Sequence, residues 1–263
     1  MSLIFYFVHS FLPYQVVISQ HLPVHHTCNS KANDLASSHG THVSGTVGSK
    51  TYGVAKKAKI YGVKVLGADG SGSASAVLAG MDFAASDAAK ARKDGRCPKG
   101  TVSNMSLGTS AKVQAINDAA KSLVNSGVFL AVAAGNSGLP AQNSSPASEP
   151  SACTVAASDK NNVQATFSNF GSLVDVYAPG VGVLSTWLNG GTATLSGTSM
   201  SSPHVAGLGA YLLGLGTTPA SSKASTQLCT YIKSLSIKNA VKNTLGFPVL
   251  FTPNNLAYNG NGA

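Results

Sequence analysis

The sequence predicts an α/β fold, a mainly parallel sheet with helices on both faces, and three observations lead there. From residue 59 onward, short apolar runs rich in β-branched residues alternate with longer stretches of helical period, the pattern of successive βαβ crossovers. The chain of 263 residues is 43% apolar, enough for one large core in a single domain. Only 10% of residues are charged while 28 are glycine, which suits helices packed closely on a sheet with short turns.

Residues 59–65 read as the first strand of this series. A helix over 73–93 follows, with Leu78, Met81, Ala85 and Ala88 spaced as a core-facing stripe and Gly95 as its stop. Strands at 101–107 and 128–133 flank a helix over 112–125, which Ser126-Gly127 ends. Further strands are expected at 153–157 and 173–177, then a helix over 199–215 burying Val205, Leu208, Leu212 and Leu215. Pro203 falls in its first turn, where a missing N–H leaves no bond unmade. Ligands of such sheets gather beyond the carboxyl ends of the strands. Ser106-Leu107-Gly108 and Ala133-Ala134-Gly135-Asn136 stand at such ends.

The formal net charge of +9 arises more from scarce acids, nine in all, than from abundant lysines. Lys56, Lys57 and Lys59 form the largest basic cluster, without interleaved aromatics, so a solvated face is expected rather than a nucleic-acid site. No apolar stretch has the ~18 to 20 residues of a membrane span, and no membrane partner is expected. Residues 1–20 are apolar but lack a basic n-region and a small-x-small site before Gln20, and Pro13 interrupts them, so they do not read as a signal peptide. Cys28, Cys97, Cys153 and Cys229 show no C-x-x-C spacing, which argues against zinc and leaves disulfides or buried thiols.

Three segments carry chemistry. In Ser196-Gly197-Thr198-Ser199-Met200, Ser199 starts a helix behind a tight turn, where the positive end of the dipole favours developing negative charge. That position suits a nucleophile, and equally an N-capping serine. In His39-Gly40-Thr41-His42, a histidine opening a helix of small residues can take up and return a proton near neutrality, which makes His39 the candidate base. His42 lies on the same helix face, but no third ligand follows at metal-site spacing. In Ala133-Ala134-Gly135-Asn136, an amide after a buried strand and a glycine can aim its NH₂ at an oxyanion.

Together the segments resemble the subtilisin-like serine proteases, and are similar to the proteinase K group of secreted, mainly fungal enzymes. The resemblance runs from about residue 37 to the end and includes His39-Gly40-Thr41-His42-Val43-Ser44-Gly45, Met105-Ser106-Leu107-Gly108, Ser145-Pro146-Ala147-Ser148-Glu149-Pro150 and Leu256-Ala257-Tyr258-Asn259. It implies a three-layer subtilisin-like fold and a secreted, monomeric endopeptidase acting on proteins or peptides. Catalysis would use Ser199 as nucleophile, His39 as base and Asn136 with the Ser199 N–H as oxyanion donors. It also implies that Gly70, Ser71 and Gly72 on one side, and Ser106, Leu107 and Gly108 on the other, pair with an extended substrate. Ala133, Ala134 and Gly135 would wall a pocket for apolar or aromatic residues. Asp175 would bind calcium with the carbonyls of Pro150 and Ala152, and Cys153 would pair with Cys229. Asn143-Ser144-Ser145 is a glycosylation sequon.

The pattern breaks at the N-terminus. The family carries its third catalytic residue, an aspartate, at the end of an early strand some thirty residues before the histidine. Asp34 is the only acid before His39 here, and it falls in the loop leading to the histidine helix. Residues 1–36 therefore read as an unmatched segment before a partial peptidase domain at 37–263, and the fold as N-terminally incomplete. The aspartate-bearing strand is expected to be missing or replaced, and its loss would expose two strand edges. Cys97 loses its usual partner in the same region.

Overall fold

The computed structural model describes residues 4–8, 38–67, 69–216, 224–243 and 251–261. In chain order its elements are β1 (Ile4–Val8), α1 (His39–Gly48), β2 (Lys59–Val63), α2 (Ala74–Lys93), β3 (Thr101–Met105), α3 (Gln114–Asn125), β4 (Val128–Ala133) and β5 (Cys153–Ser158). Then come β6 (Val176–Pro179), β7 (Val183–Thr186), β8 (Thr192–Leu195), α4 (Thr198–Leu215), α5 (Ala224–Leu235), β9 (Ile237–Lys238) and β10 (Asn255–Leu256). One sheet runs β2-β1-β3-β4-β5-β6-β10-β9, parallel except where β9 meets β10. β7 and β8 form a separate antiparallel hairpin.

Every residue of β3, β4 and β5 is buried, as strands covered on both faces must be. Along β4 alternate side chains serve two cores. Phe129 and Ala131 join the layer of α1, α4 and α5, while Val128, Leu130 and Val132 join that of α2 and α3.

The helices keep their expected places with small shifts. Ser73 caps α2, its Oγ accepting the Ala76 N–H at 3.2 Å, and Gly95 ends it at a φ of 68°. The buried face of α2 is Val77, Gly80, Met81, Ala84, Ala88 and Ala91, so the stripe expected through Leu78 and Ala85 is turned by about one residue. Small residues let the helix approach the sheet on that face, which leaves Leu78 and Ala85 half-buried beside it.

α4 is apolar nearly all round, the mark of a helix enclosed by the core. It lies over β3 to β6 and packs against α1 and α5. Val205, Leu208 and Leu212 are buried as expected, but Leu215 is 54% exposed because the last turn runs past the sheet before Gly216 caps it. Where α4 meets the loop after α1, a Cβ on Gly207 would stand 2.7 Å from the Val54 Cβ and 3.3 Å from the Val47 carbonyl, so only glycine permits the approach.

Two further expectations change. The strand expected at 173–177 is instead β6, because the Val174 N–H closes a turn onto the Gly171 carbonyl before the ladder begins. The two strand edges expected to be bare are paired, since β1 lies parallel between β2 and β3. Asp34 and Cys28 lie outside the described residues. The disulfide Cys153–Cys229 joins β5 to α5 across 76 residues, a loop whose closure contributes roughly 4 kcal/mol in chain entropy. Cys97 is a buried thiol. None of the described helices is long and apolar enough to cross a membrane.

Candidate active site

The site is built where β3 and β4 end and α4 begins. Gly197, at a φ of 153°, delivers the chain into α4, so Thr198 and Ser199 occupy the first turn, where N–H groups have no intrahelical acceptor. Thr198, fully buried, organises what faces it. Its Oγ1 accepts the Gly135 N–H at 3.1 Å and donates to Asn136 Oδ1 at 2.9 Å. The Thr198 N–H donates to the same oxygen at 2.8 Å. With Oδ1 held twice, the Asn136 amide presents its NH₂ to the site. A Cβ built on Gly197 would lie 3.5 Å from Asn136 Nδ2 and 3.7 Å from the Ser199 nitrogen, so both groups converge on space that glycine leaves open.

A second network fixes the helix start to β3. Ser106 Oγ donates to the Ser199 carbonyl at 2.7 Å and accepts from Asn104 Nδ2 at 2.9 Å. That leaves Ser202 Oγ as donor in its 2.9 Å contact with Ser106. Ser199 Oγ, half-buried, donates to the Ser106 carbonyl at 3.3 Å, a long bond. Ser106 thus acts through its side chain as well as its backbone.

The cleft beside Ser199 has a volume of about 280 Å³, and among the described residues no charged side chain lines it. Leu107, Gly108, Ala133, Gly135, Asn136 and Leu139 form part of its wall. Ala134 is buried just behind. Asn169 braces this wall from beneath: Nδ2 donates to the Ala134 carbonyl at 2.9 Å, and Oδ1 accepts the N–H groups of Ser137 and Leu139 at 3.0 and 3.1 Å. The exposed segment Gly70-Ser71-Gly72 is not a strand here. The Ser71 N–H and Oγ both donate to Asp69, and the Ser71 carbonyl accepts from Gly67, so its backbone groups are taken up within a turn.

His39 is the first residue of α1 and is half-buried. α1 packs directly on α4, so two helix N-termini supply His39 and Ser199. His42 donates its Nε2–H to the carbonyls of Val183 at 2.9 Å and Ala193 at 3.1 Å, which binds the β7–β8 hairpin to α1. Ser185 and Thr186 return the tie, donating to the carbonyls of His42 and Thr41 at 2.8 and 2.9 Å. Burial holds His42 below its ordinary pKa. His204, whose Nδ1 donates to the Met200 carbonyl at 2.8 Å, is lowered for the same reason, with a smaller push from His42.

Most of the described acids have partners of their own. Asp69 holds Ser71, Asp87 and Asp94 pair with Arg96, Asp118 accepts from Gln114, Glu149 from Ser151 and Asp159 from Asn161. Asp82 is exposed on α2. Asp175 Oδ1 lies 2.8 Å from Lys233 Nζ, and its Oδ2 accepts the Thr154 N–H at 2.9 Å. Burial raises its pKa, while Lys233 and the Thr154 N–H pull it back. Thr198, Asn104, Ser202, Asn169 and Lys233 were not singled out in the sequence. Asn104, an amide within the strand run expected at 101–107, was the one local signal among them.

A model of the subtilase family, peptidase S8, matches residues 16–261, starting upstream of the boundary expected at residue 37. The chain is 55% identical over 224 residues to a cuticle-degrading protease of Metarhizium anisopliae, covering 84% of this chain and 54% of that one. It is 52% identical over 225 residues to proteinase T of Parengyodontium album, covering 86% and 72%. It thus spans about half the length of the Metarhizium relative. A crystal structure of a cold-adapted subtilisin-like serine proteinase superposes with a TM-score of 0.77 at 34% identity, covering 98% of this chain and 88% of the other.

Proposed function

The chain belongs to the subtilase family, and from that premise we propose that it is a serine-type endopeptidase working through an acyl-enzyme on Ser199. One observation carries the reading: Asn136 Nδ2 and the Ser199 nitrogen lie within 3.5 and 3.7 Å of one point in the space Gly197 leaves open, and both residues line a cleft that no described charged side chain enters. Such donors stabilise an oxyanion as it forms, and in enzymes of this chemistry one of them is worth roughly 10²- to 10³-fold in kcat.

In the reaction, Ser199 Oγ turns from the Ser106 carbonyl and attacks the scissile carbonyl carbon while His39 takes its proton. The C–N bond then breaks as His39 protonates the leaving amine, leaving an ester on Ser199. Water, deprotonated by His39, attacks that ester and restores the serine. Small walls at Ala133 and Gly135, with Leu107 and Leu139 beside them, favour an apolar or aromatic residue before the scissile bond. Extended protein or peptide substrates would be held by backbone pairing along Ser106–Gly108 and, once its turn opens, Gly70–Gly72. The Cys153–Cys229 disulfide fits an extracellular location.

An aspartate orients the histidine in serine proteases, subtilisins included, and its removal costs roughly 10⁴-fold in kcat. Asp34, five residues before His39, is the only acid ahead of it in this sequence, where the family carries its aspartate some thirty residues ahead, and that spacing supports impaired turnover. The same observation favours a second reading, a chain that binds extended peptides without cleaving them. A serine-directed fluorophosphonate separates the two. Labelling that vanishes in Ser199→Ala supports the endopeptidase; folded protein that never labels refutes it.

A further inference from the structure

Asp175, with the carbonyls of Pro150 and Ala152, is where the resemblance expects calcium, yet the residues present do not suit that ion. Calcium takes six to eight oxygen ligands. Asp175 is the sole carboxylate of the expected set, and both its oxygens are already bonded, one to an ammonium and one to a backbone N–H. The sulfurs of Cys153 and Cys229 approach it within 4.8 Å, but they are joined to each other.

We propose that the Lys233 ammonium is the resident cation of this site, held there by the fold in place of a metal ion. Cys229 and Lys233 are four residues apart on α5 and so share one helix face. The disulfide fastens that face to the start of β5, and the next turn sets Lys233 over Asp175. The backbone on both sides is fixed as well. Asn255 Nδ2 donates to the Asp175 carbonyl at 2.9 Å, and Ser236 Oγ donates to the Lys233 carbonyl at 2.6 Å.

Charge works in the same direction. Ammonium and carboxylate cancel, whereas a divalent ion on Asp175 would sit beside Lys233 in a chain whose formal net charge is already +9. Calcium must therefore expel the lysine before it binds. The pair is reachable from solvent, with Lys233 38% and Asp175 18% exposed, so burial does not shield it from an added ion.

The test follows thermal unfolding of the full chain in calcium and in EGTA, a readout that needs no peptide cleavage. The native chain is expected to unfold at the same midpoint in both. In Lys233→Ala, and in the neutral Lys233→Gln, the midpoint is expected to rise steadily with the logarithm of calcium concentration, as binding to the folded state alone requires. Saturable stabilisation of the native chain by calcium would overturn the proposal. So would folded Lys233 variants that stay indifferent to calcium.

Discussion

Gly135 is the residue on which the wall of the cleft turns, and replacing it with alanine has calculable consequences. Its φ of 108° is one that a side chain tolerates poorly, and a Cβ there would lie 2.2 Å from Asn169 Nδ2 and 3.0 Å from its Cγ. Strain of this kind costs about 1 to 2 kcal/mol. Asn169 must also move, which puts three hydrogen bonds at risk, each worth roughly 0.5 to 1.5 kcal/mol net. Gly135→Ala should therefore lose about 3 to 6 kcal/mol, a large share of the roughly 5 to 15 kcal/mol that a domain holds. Urea unfolding measures this as a lower midpoint at unchanged slope. The double variant Gly135→Ala/Asn169→Ala identifies the cause, because once Asn169 is gone the added methyl should cost only the backbone strain. A loss below about 1 kcal/mol, or strictly additive single and double variants, would refute the clash with Asn169.

Thr198→Val removes the hydroxyl that links Gly135 to Asn136 but keeps the shape and the Thr198-position N–H bond. Fluorophosphonate labelling of Ser199 should slow by roughly 10- to 100-fold, less than the loss from removing an oxyanion donor outright; an unchanged rate would dismiss the positioning role. Stability should also fall with acid. His42 and His204 are held below 6.5 by burial, so beneath that pH the unfolded chain binds more protons and folding weakens. The slope should reach up to about 1.4 kcal/mol per pH unit for each histidine until its folded pKa is passed. Asp175, shifted upward from 3.8, acts with the opposite sign on the acid side. A urea midpoint that stays flat from about pH 7.5 to 5.5 would contradict the buried, neutral state of both histidines.

What the sequence determined by itself was everything that burial repeats locally. The apolar runs at β4 and β5, the helical period of α2 and the long apolar stretch of α4 gave the α/β class, because a covered strand or a packed helix needs apolar residues where it is buried. The candidates Ser199, His39 and Asn136 could be picked out because each stands in a short segment of small residues at a turn or helix start. The finer placement was not local. Thr198 finds Asn136 across 62 residues, Ser106 finds the Ser199 carbonyl across 93, and Lys233 reaches Asp175 across 58. The tertiary structure alone turned the stripe of α2, paired β1 between two strands and locked His42 to a hairpin 141 residues away. A polar side chain shows in sequence only that it can bond; which partner it bonds is decided when the sheet and its helices bring distant backbones together.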